Sequence, residues 1–365
     1  AELLPVSNVI APLGALLEAK APAVRFEATL LFLRLPQAEA VPLAVSERDV
    51  SELLSDAAME QLFTPALLSL MDQECDVLAR LLAWVGCLRM YERLDVSAKA
   101  RLGAHWKQRQ LPSLLQALLT LLPIEPGDPP PTLAHLTVDA WCRARLASSA
   151  TAALAESDLA VCLYLLLLRQ LPALVRHWWT HGIAGRGASA NLARFTETHM
   201  SPLLLRQEVE SISQRTEAVS DENFKVRGSV ASRQIAATYS CEGSAMQIVL
   251  QLSNCHPLRA VDVDCVQRVG VSDARWKKWQ RTISTMLLAQ NGSLTDALLQ
   301  WKSDVDKVFE GVEECPICYM IVHQATRSLP RLECKTCKNK FHAACLYKWF
   351  NSSQKSTCPL CQSTF

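Results

Sequence analysis

Apolar residues in the first half of the chain recur at helical spacing. Leu114-Leu115-x2-Leu118-Leu119-x-Leu121-Leu122 is the clearest stretch, and residues 1 to about 180 read as helix after helix. The pattern breaks at Leu35-Pro36, at the turn-rich run Pro123 to Pro131, and between Gly182 and Gly187. No strict internal period emerges, and the succession of short helices favours a helical solenoid over a plain bundle. The longest apolar run, Leu159 to Leu168, is bracketed by Asp158 and Arg169. Ten residues are too few to span a bilayer, so this run predicts a buried helix.

Residues 222 to 266 change character. Val226–Val230, Gln234–Tyr239, Gln247–Leu252 and Ala260–Cys265 are short β-branched or apolar runs, punctuated by Gly228, Gly243 and Asn254. They predict an antiparallel meander. Two amphipathic helices follow, about Asp273–Gln290 and Ser293–Phe309, with Asn291-Gly292 as the break and Ser293 as N-cap. Strands followed by helices predict an α+β domain with the helices on one sheet face.

A length of 365 residues, half of them hydrophobic, suits two or three globular domains. No secretory signal, transit peptide or membrane span is legible, which with unpaired cysteines predicts a cytosolic protein without a membrane partner. The net charge of +1 conceals an asymmetry: from Cys315 onward seven Lys or Arg face one Glu. A basic end module fits an acidic partner such as RNA, although solubility is the plainer explanation and no aromatic platform for stacking bases is evident.

The chemistry lies in the last 51 residues. Cys315-x2-Cys318, Cys334-x2-Cys337, His342-x2-Cys345 and Cys358-x2-Cys361 follow one another, and two intervening residues let a tight turn aim both side chains at one tetrahedral zinc ion. Eight ligands fill two four-coordinate sites and leave no position for a water, so both zinc ions are structural. A disulfide framework does not fit, because the other seven cysteines are scattered without pairing rhythm. So short a segment cannot bury enough apolar area to fold unaided, and metal binding and folding are expected to be one event. His323 falls in the fifteen-residue loop between the first two pairs and reads as solvated. His177 and His181 share a helix face, but Trp178 stands where a zinc protease needs its Glu, so a packed helix end is the better reading.

Three apolar residues accompany the ligands: Ile317 in the first turn, where it is expected to point outward, Trp349 on a helix beginning after the third pair, and Pro359 in the last turn. Converging as a shallow exposed groove, they would form a partner surface. This resembles RING-type ubiquitin ligases, in which those positions contact the ubiquitin-conjugating enzyme (E2). The ligand order is closest to the RING-CH variant. It also occurs in PHD fingers, which carry an aromatic where this chain has Ser356. The cross-brace resemblance implies that Cys315, Cys318, His342 and Cys345 hold one zinc, and Cys334, Cys337, Cys358 and Cys361 the other. Many RINGs place an Arg or Lys just after the eighth ligand to bridge E2 and ubiquitin; here it is Gln362, a donor and acceptor without charge.

Two stretches resemble the listerin family of ubiquitin ligases. One runs from Asn291-Gly292-Ser293 through Trp301-Lys302-x2-Val305-Asp306-Lys307-x-Phe309-Glu310-Gly311-Val312-Glu313 to Cys315; the other runs from Lys340-Phe341-His342 to Cys361. The resemblance implies a HEAT/ARM-like helical region over 1–190, an RWD-like domain over 200–310 and a RING over 311–365. In Leu252 to Leu258, His256 takes the place of the Tyr in the Tyr-Pro pair common in RWD domains. RWD domains share the E2 fold, but neither Cys255 nor Cys265 has a partner base in sight, and buried structural cysteines are expected. The implied function is transfer of ubiquitin from an E2 to lysines of stalled nascent chains on the large (60S) ribosomal subunit, alongside other quality-control factors and without DNA. Two alternatives stay open: a RING ligase with non-ribosomal substrates, and a non-enzymatic zinc interaction module.

Overall fold

The computed structural model describes residues 77–128, 156–219 and 222–365. The Leu35-Pro36 break and the prolines at 129–131 lie outside them. The chain divides into two compact units, Ala1–Met200 and Ser201–Phe365.

In the first unit the described residues are helical: α1 (Val77–Arg93), α2 (Val96–Gln108), α3 (Gln110–Leu121), α4 (Glu156–Gln170), α5 (Pro172–His181) and α6 (Arg186–Phe195), the last running into a π-turn at Thr196–Met200. Asp95 caps α2 by accepting from Ala98 N at 2.8 Å, and Pro172 opens α5, where a missing N–H costs nothing. Leu159, Leu163, Tyr164, Leu167 and Leu168 are all buried, so the apolar run is a helix enclosed by α1, α3 and α5. Thr196 donates to Leu192 O, so the buried Tyr164 hydroxyl is the donor to Thr196 Oγ1 at 2.8 Å. No single helix among the described residues is long and apolar enough to cross a membrane; α4 and α5 qualify only as a pair, and they meet at 108°.

The second unit begins with α7 (Ser201–Val219), which sequence periodicity did not single out. Strands β1 (Phe224–Ser229), β2 (Gln234–Cys241), β3 (Ser244–Gln251) and β4 (Asp262–Gln267) pair in order as an antiparallel meander. Alternation along the strands buries Ile235, Ala237 and Tyr239 of β2 and Met246, Ile248 and Leu250 of β3 on one face. Helices α7, α8 (Asp273–Ala289) and α9 (Leu294–Phe309) cover that face, with Trp276, Trp279, Ile283, Leu287, Leu298 and Trp301 in the shared core. Gly228 admits α7: a Cβ there would lie 2.7 Å from Val209 Cγ2. Ser293 caps α9 as expected, accepting from Asp296 N at 3.0 Å.

Residues 311–365 add only β5 (Leu332–Glu333), β6 (Lys340–Phe341) and α10 (Ala343–Ser353) as regular elements. Their own apolar cluster is Leu346 and Phe341 packed among cysteines, with Phe350 and Phe365 alongside. Val322 and Leu329 belong instead to the core of the α+β domain. The terminal module is therefore seated on that domain rather than tethered to it.

Candidate metal centres and the face they build

The structure gathers the eight candidate ligands into two groups. Donor atoms of Cys315, Cys318, His342 and Cys345 lie within 4.8 Å of one another, and so do those of Cys334, Cys337, Cys358 and Cys361. Sulfurs held about 2.3 Å from a tetrahedral zinc sit about 3.8 Å apart. Cys334 Sγ is 3.6 Å from Cys361 Sγ, and Cys337 Sγ is 3.7 Å from Cys358 Sγ. In the other group His342 Nδ1 is 3.4 Å from Cys318 Sγ and 3.9 Å from Cys345 Sγ. Both sites thus fit a small tetrahedral cation that accepts sulfur and nitrogen.

Local backbone chemistry aims these donors. Tyr319 N donates to Cys315 O at 2.7 Å and Lys338 N to Cys334 O at 2.9 Å, while Gln362 N donates to Cys358 O at 3.0 Å. Tyr319, Lys338 and Gln362 all have positive φ (56°, 62° and 58°), so each Cys-x2-Cys turn closes through a left-handed residue just beyond its second cysteine. The imidazole tautomer is fixed as well. Ile321 O can only accept, so His342 Nε2, 3.0 Å away, carries the proton and Nδ1 offers its lone pair to the site. Burial holds His342 below its ordinary value, which keeps it neutral, as a ligand must be. Burial also pushes the Cys345 thiol up to about 12 and Cys358 up to about 11, whereas backbone N–H groups, that of Cys337 first, bring Cys334 down to about 6. A cation entering these sites displaces protons from the raised thiols.

Three details depart from the sequence expectations. The helix carrying Trp349 starts at Ala343, so Cys345 is a helical ligand and the third pair straddles the helix start. Ile317 is half-buried against the cysteine cluster rather than pointing freely outward; Tyr319, 76% exposed, is the outward residue of that turn. His323 is not merely solvated. Its Nδ1 accepts from Thr326 N at 3.1 Å, and its ring meets His342 edge-on at 5.3 Å. Side-chain capping of an irregular loop leaves no periodic trace, so spacing alone could not find it.

The module leaves large apolar side chains exposed: Tyr347, Trp349 and Leu360 are 59%, 37% and 51% exposed, and Pro359, which precedes Leu360, is half-exposed. Trp349 Nε1 donates to Thr357 O at 3.1 Å, tying α10 to the turn that carries Pro359. Gln362 is exposed just beyond Cys361. Among the described residues the His177 and His181 rings lie 4.8 Å apart, tilted by 33°, but gather no further ligand, and both are exposed rather than packed; it is Trp178 that is buried. Cys265 is half-buried with its thiol pushed up by burial, the opposite of an activated nucleophile, and Cys255 is buried.

Comparison with known proteins agrees with this organisation. Residues 313–362 match a ring finger domain, and 224–308 match a ubiquitin conjugating domain-like family. Residues 26–213, more than half of the chain, match the LTN1 family HEAT repeat region. The chain belongs to the listerin family. E3 ubiquitin-protein ligase listerin of Xenopus tropicalis is 35% identical over 330 residues, which is 88% of this chain and 19% of that protein. The Mus musculus listerin is 35% identical over 342 residues, 90% of this chain and 19% of its own. The Saccharomyces cerevisiae listerin is 35% identical over 199 residues, 54% of this chain and 13% of its own. The chain therefore spans about a fifth of the length of the vertebrate listerins it matches.

Proposed function

We propose that this chain is the ubiquitin-transferring end of an E3 ligase, with one structural zinc ion in the site that includes His342 and a second in the all-cysteine site. The observation that carries this reading is the Trp349–Thr357 hydrogen bond, which ties the exposed indole to the turn that carries Pro359, while Ile317 lies half-buried on the first Cys-x2-Cys turn. Trp349 and Pro359 would dock an E2 charged with ubiquitin. Zinc here supplies shape alone, since all four positions of each site are taken. A substrate lysine amine attacks the E2–ubiquitin thioester carbonyl, an isopeptide bond forms, and the E2 thiol leaves. The chain contributes orientation and no covalent intermediate of its own. Gln362, exposed just beyond Cys361, would bridge E2 and ubiquitin through hydrogen bonds without a formal charge.

Within that reading the substrates are stalled nascent chains on the 60S subunit in the cytosol, a proposal supported by family membership. A basic surface favours it further. The outward side of α8 presents Arg275, Lys277, Lys278 and Arg281, with Asp273 the sole acidic residue of the helix. Such a stripe suits ribosomal RNA phosphates.

The test is single-turnover lysine discharge from a panel of charged E2 enzymes, with wild type beside Trp349→Ala. Discharge by wild type that is lost in a variant retaining its zinc supports the ligase; discharge from no E2 leaves an interaction module. Co-sedimentation with 60S subunits, weakened by Lys278→Glu with Arg281→Glu and by added salt, separates ribosomal from other substrates.

A further inference from the structure

The turn between β2 and β3 is the tightest in the sheet. Cys241 pairs with Ser244, and the two-residue loop is Glu242-Gly243, with φ of 45° and 74°. Two left-handed residues in succession are what such a loop requires, and Asn-Gly or Asp-Gly are the sequences that adopt it readily. Glutamate gains nothing from that conformation: its longer side chain cannot form the local hydrogen bonds that let Asn and Asp tolerate it. A residue held where a shorter one would be more comfortable calls for a reason elsewhere.

The reason is 79 residues along the chain. Glu242 Oε2 accepts from Ile321 N at 2.6 Å and from Val322 N at 3.2 Å. The second bond is the informative one. Val322 N–H and Ile321 C=O belong to one peptide unit, and Ile321 O accepts from His342 Nε2 at 3.0 Å. Carboxylate, peptide and imidazole thus form one line of hydrogen bonds: Glu242 draws on the N–H, the polarised carbonyl draws on Nε2–H, and Nδ1 faces Cys318 and Cys345. Metal-ligating histidines donate their outer N–H to a carboxylate or a carbonyl, which orients the ring and raises its basicity. Here the two arrangements are in series, and each bond strengthens the next.

We propose that Glu242 is a positioning residue of the zinc site that includes His342, acting from the α+β domain through the Ile321–Val322 peptide. The domain thereby takes part in holding the metal, and the first zinc turn, which carries Ile317, is fixed in orientation by a residue outside the zinc module. The neighbouring loop is fixed from the same side: Arg327 O accepts from Gly270 N at 2.8 Å, Arg331 donates to Gly270 O at 2.6 Å, and a Cβ on Gly270 would lie 2.5 Å from Leu329 Cγ. The proposal rests on the zinc reading given above.

Glu242→Asn separates this role from a merely structural one. Asparagine suits the left-handed turn and is too short to reach Ile321, so the hairpin should gain stability while the metal site loosens. The experiment uses the whole chain. Zinc content is measured first, then release to a colorimetric chelator, with the His342 Nε2–H signal followed in 15N-histidine-labelled protein. Wild type should hold two zinc ions, and the Asn variant should release one of them about tenfold faster, the scale of a lost outer-ligand bond. Its thermal midpoint with zinc in excess should be equal or higher, and its His342 N–H should exchange faster. Glu242→Gln keeps the length and an acceptor oxygen and should fall between the two. An Asn variant with wild-type release and an unchanged His342 signal would overturn the proposal. Wild type holding fewer than two zinc ions would instead remove the zinc reading on which it rests.

Discussion

Trp349 and Thr357 hold two parts of the terminal module in register. The indole N–H of Trp349, on α10, donates to the backbone carbonyl of Thr357, the residue before Cys358 in the last Cys-x2-Cys turn. Trp349 nevertheless remains 37% exposed, and Leu360, on the turn that follows Thr357, is 51% exposed. The ring both braces the surface and belongs to it.

Replacing Trp349 should therefore act in two steps. Trp349→Phe loses the bond to Thr357 but keeps an aromatic anchor, and a several-fold fall in lysine discharge is expected. Trp349→Ala removes the anchor as well and should cost roughly thirtyfold or more, about 2 kcal/mol, the loss typical of a central aromatic in an interface. Zinc content and circular dichroism should stay unchanged in both. Equal activity of wild type and Ala variant would place the E2 elsewhere.

Gln362 takes a left-handed backbone conformation one residue past Cys361 and is exposed. Arginine there would offer several donors with charge assistance to groups shared by E2 and ubiquitin. Gln362→Arg should raise single-turnover discharge severalfold without altering E2 affinity by more than a factor of a few. A rate that stays level or falls would argue against a bridging role at this position.

Metal removal should reach further than the zinc module. Val322 and Leu329 are part of the α+β core, and Glu242 accepts from Ile321 N and Val322 N just beyond the first Cys-x2-Cys turn. Chelation should unfold residues 313–362 and also lower the thermal midpoint of the α+β domain, while the helices of residues 77–108 keep their protection. Hydrogen exchange followed by mass spectrometry reads all three regions at once. Unaltered exchange in β2, β3 and α8 after zinc loss would contradict the shared core.

Asp296 predicts a pH dependence. Burial alone would raise its carboxyl, but hydrogen bonds from Ser293 and Arg215, with the Arg215 charge, outweigh burial and hold it below the usual carboxylate range. Arg215 Nη1 lies 2.8 Å away, and Ser293 Oγ is 2.7 Å from Oδ2. A depressed folded pKa contributes stability that is full above the unfolded value, near 4, and is lost as pH falls through the folded one. The pair is half-exposed, so Asp296→Asn should cost on the order of 1 kcal/mol at pH 7, and the gap between variant and wild type should narrow as pH falls below about 4. Urea titrations at pH 7 and pH 3 measure both.

Much of this architecture is legible in one dimension because its causes are local. A Cys-x2-Cys turn carries its candidate ligands and its geometry within five residues. Ser293 caps α9 from one position away, and alternation writes the buried face of β2 and β3 into the chain. Helix α7 was harder to read. Its Leu204 and Leu205 are buried, but Arg206, Glu210 and its other polar residues dilute the periodicity, and only the sheet it covers makes its apolar side definite. The start of α10 was misplaced for a related reason: His342 and Cys345 read as a ligand pair, which hides that Cys345 already lies in a helix.

Legible along the chain were the four paired Cys and His positions, the meander with its two following helices, and Trp349 and Pro359 as exposed apolar residues; Ile317, Tyr347 and Leu360 were not placed correctly. Spacing and periodicity are properties of neighbours, and these features depend on neighbours. The seating of the terminal Cys/His module on the α+β domain became visible in the folded chain alone. Val322 and Leu329 look like ordinary loop residues until a core built far upstream receives them. Glu242 looks like a misplaced turn residue until its carboxylate meets two N–H groups 79 and 80 positions away. A long-range hydrogen bond leaves no period in the chain, because the partners are brought together by the packing of everything between them.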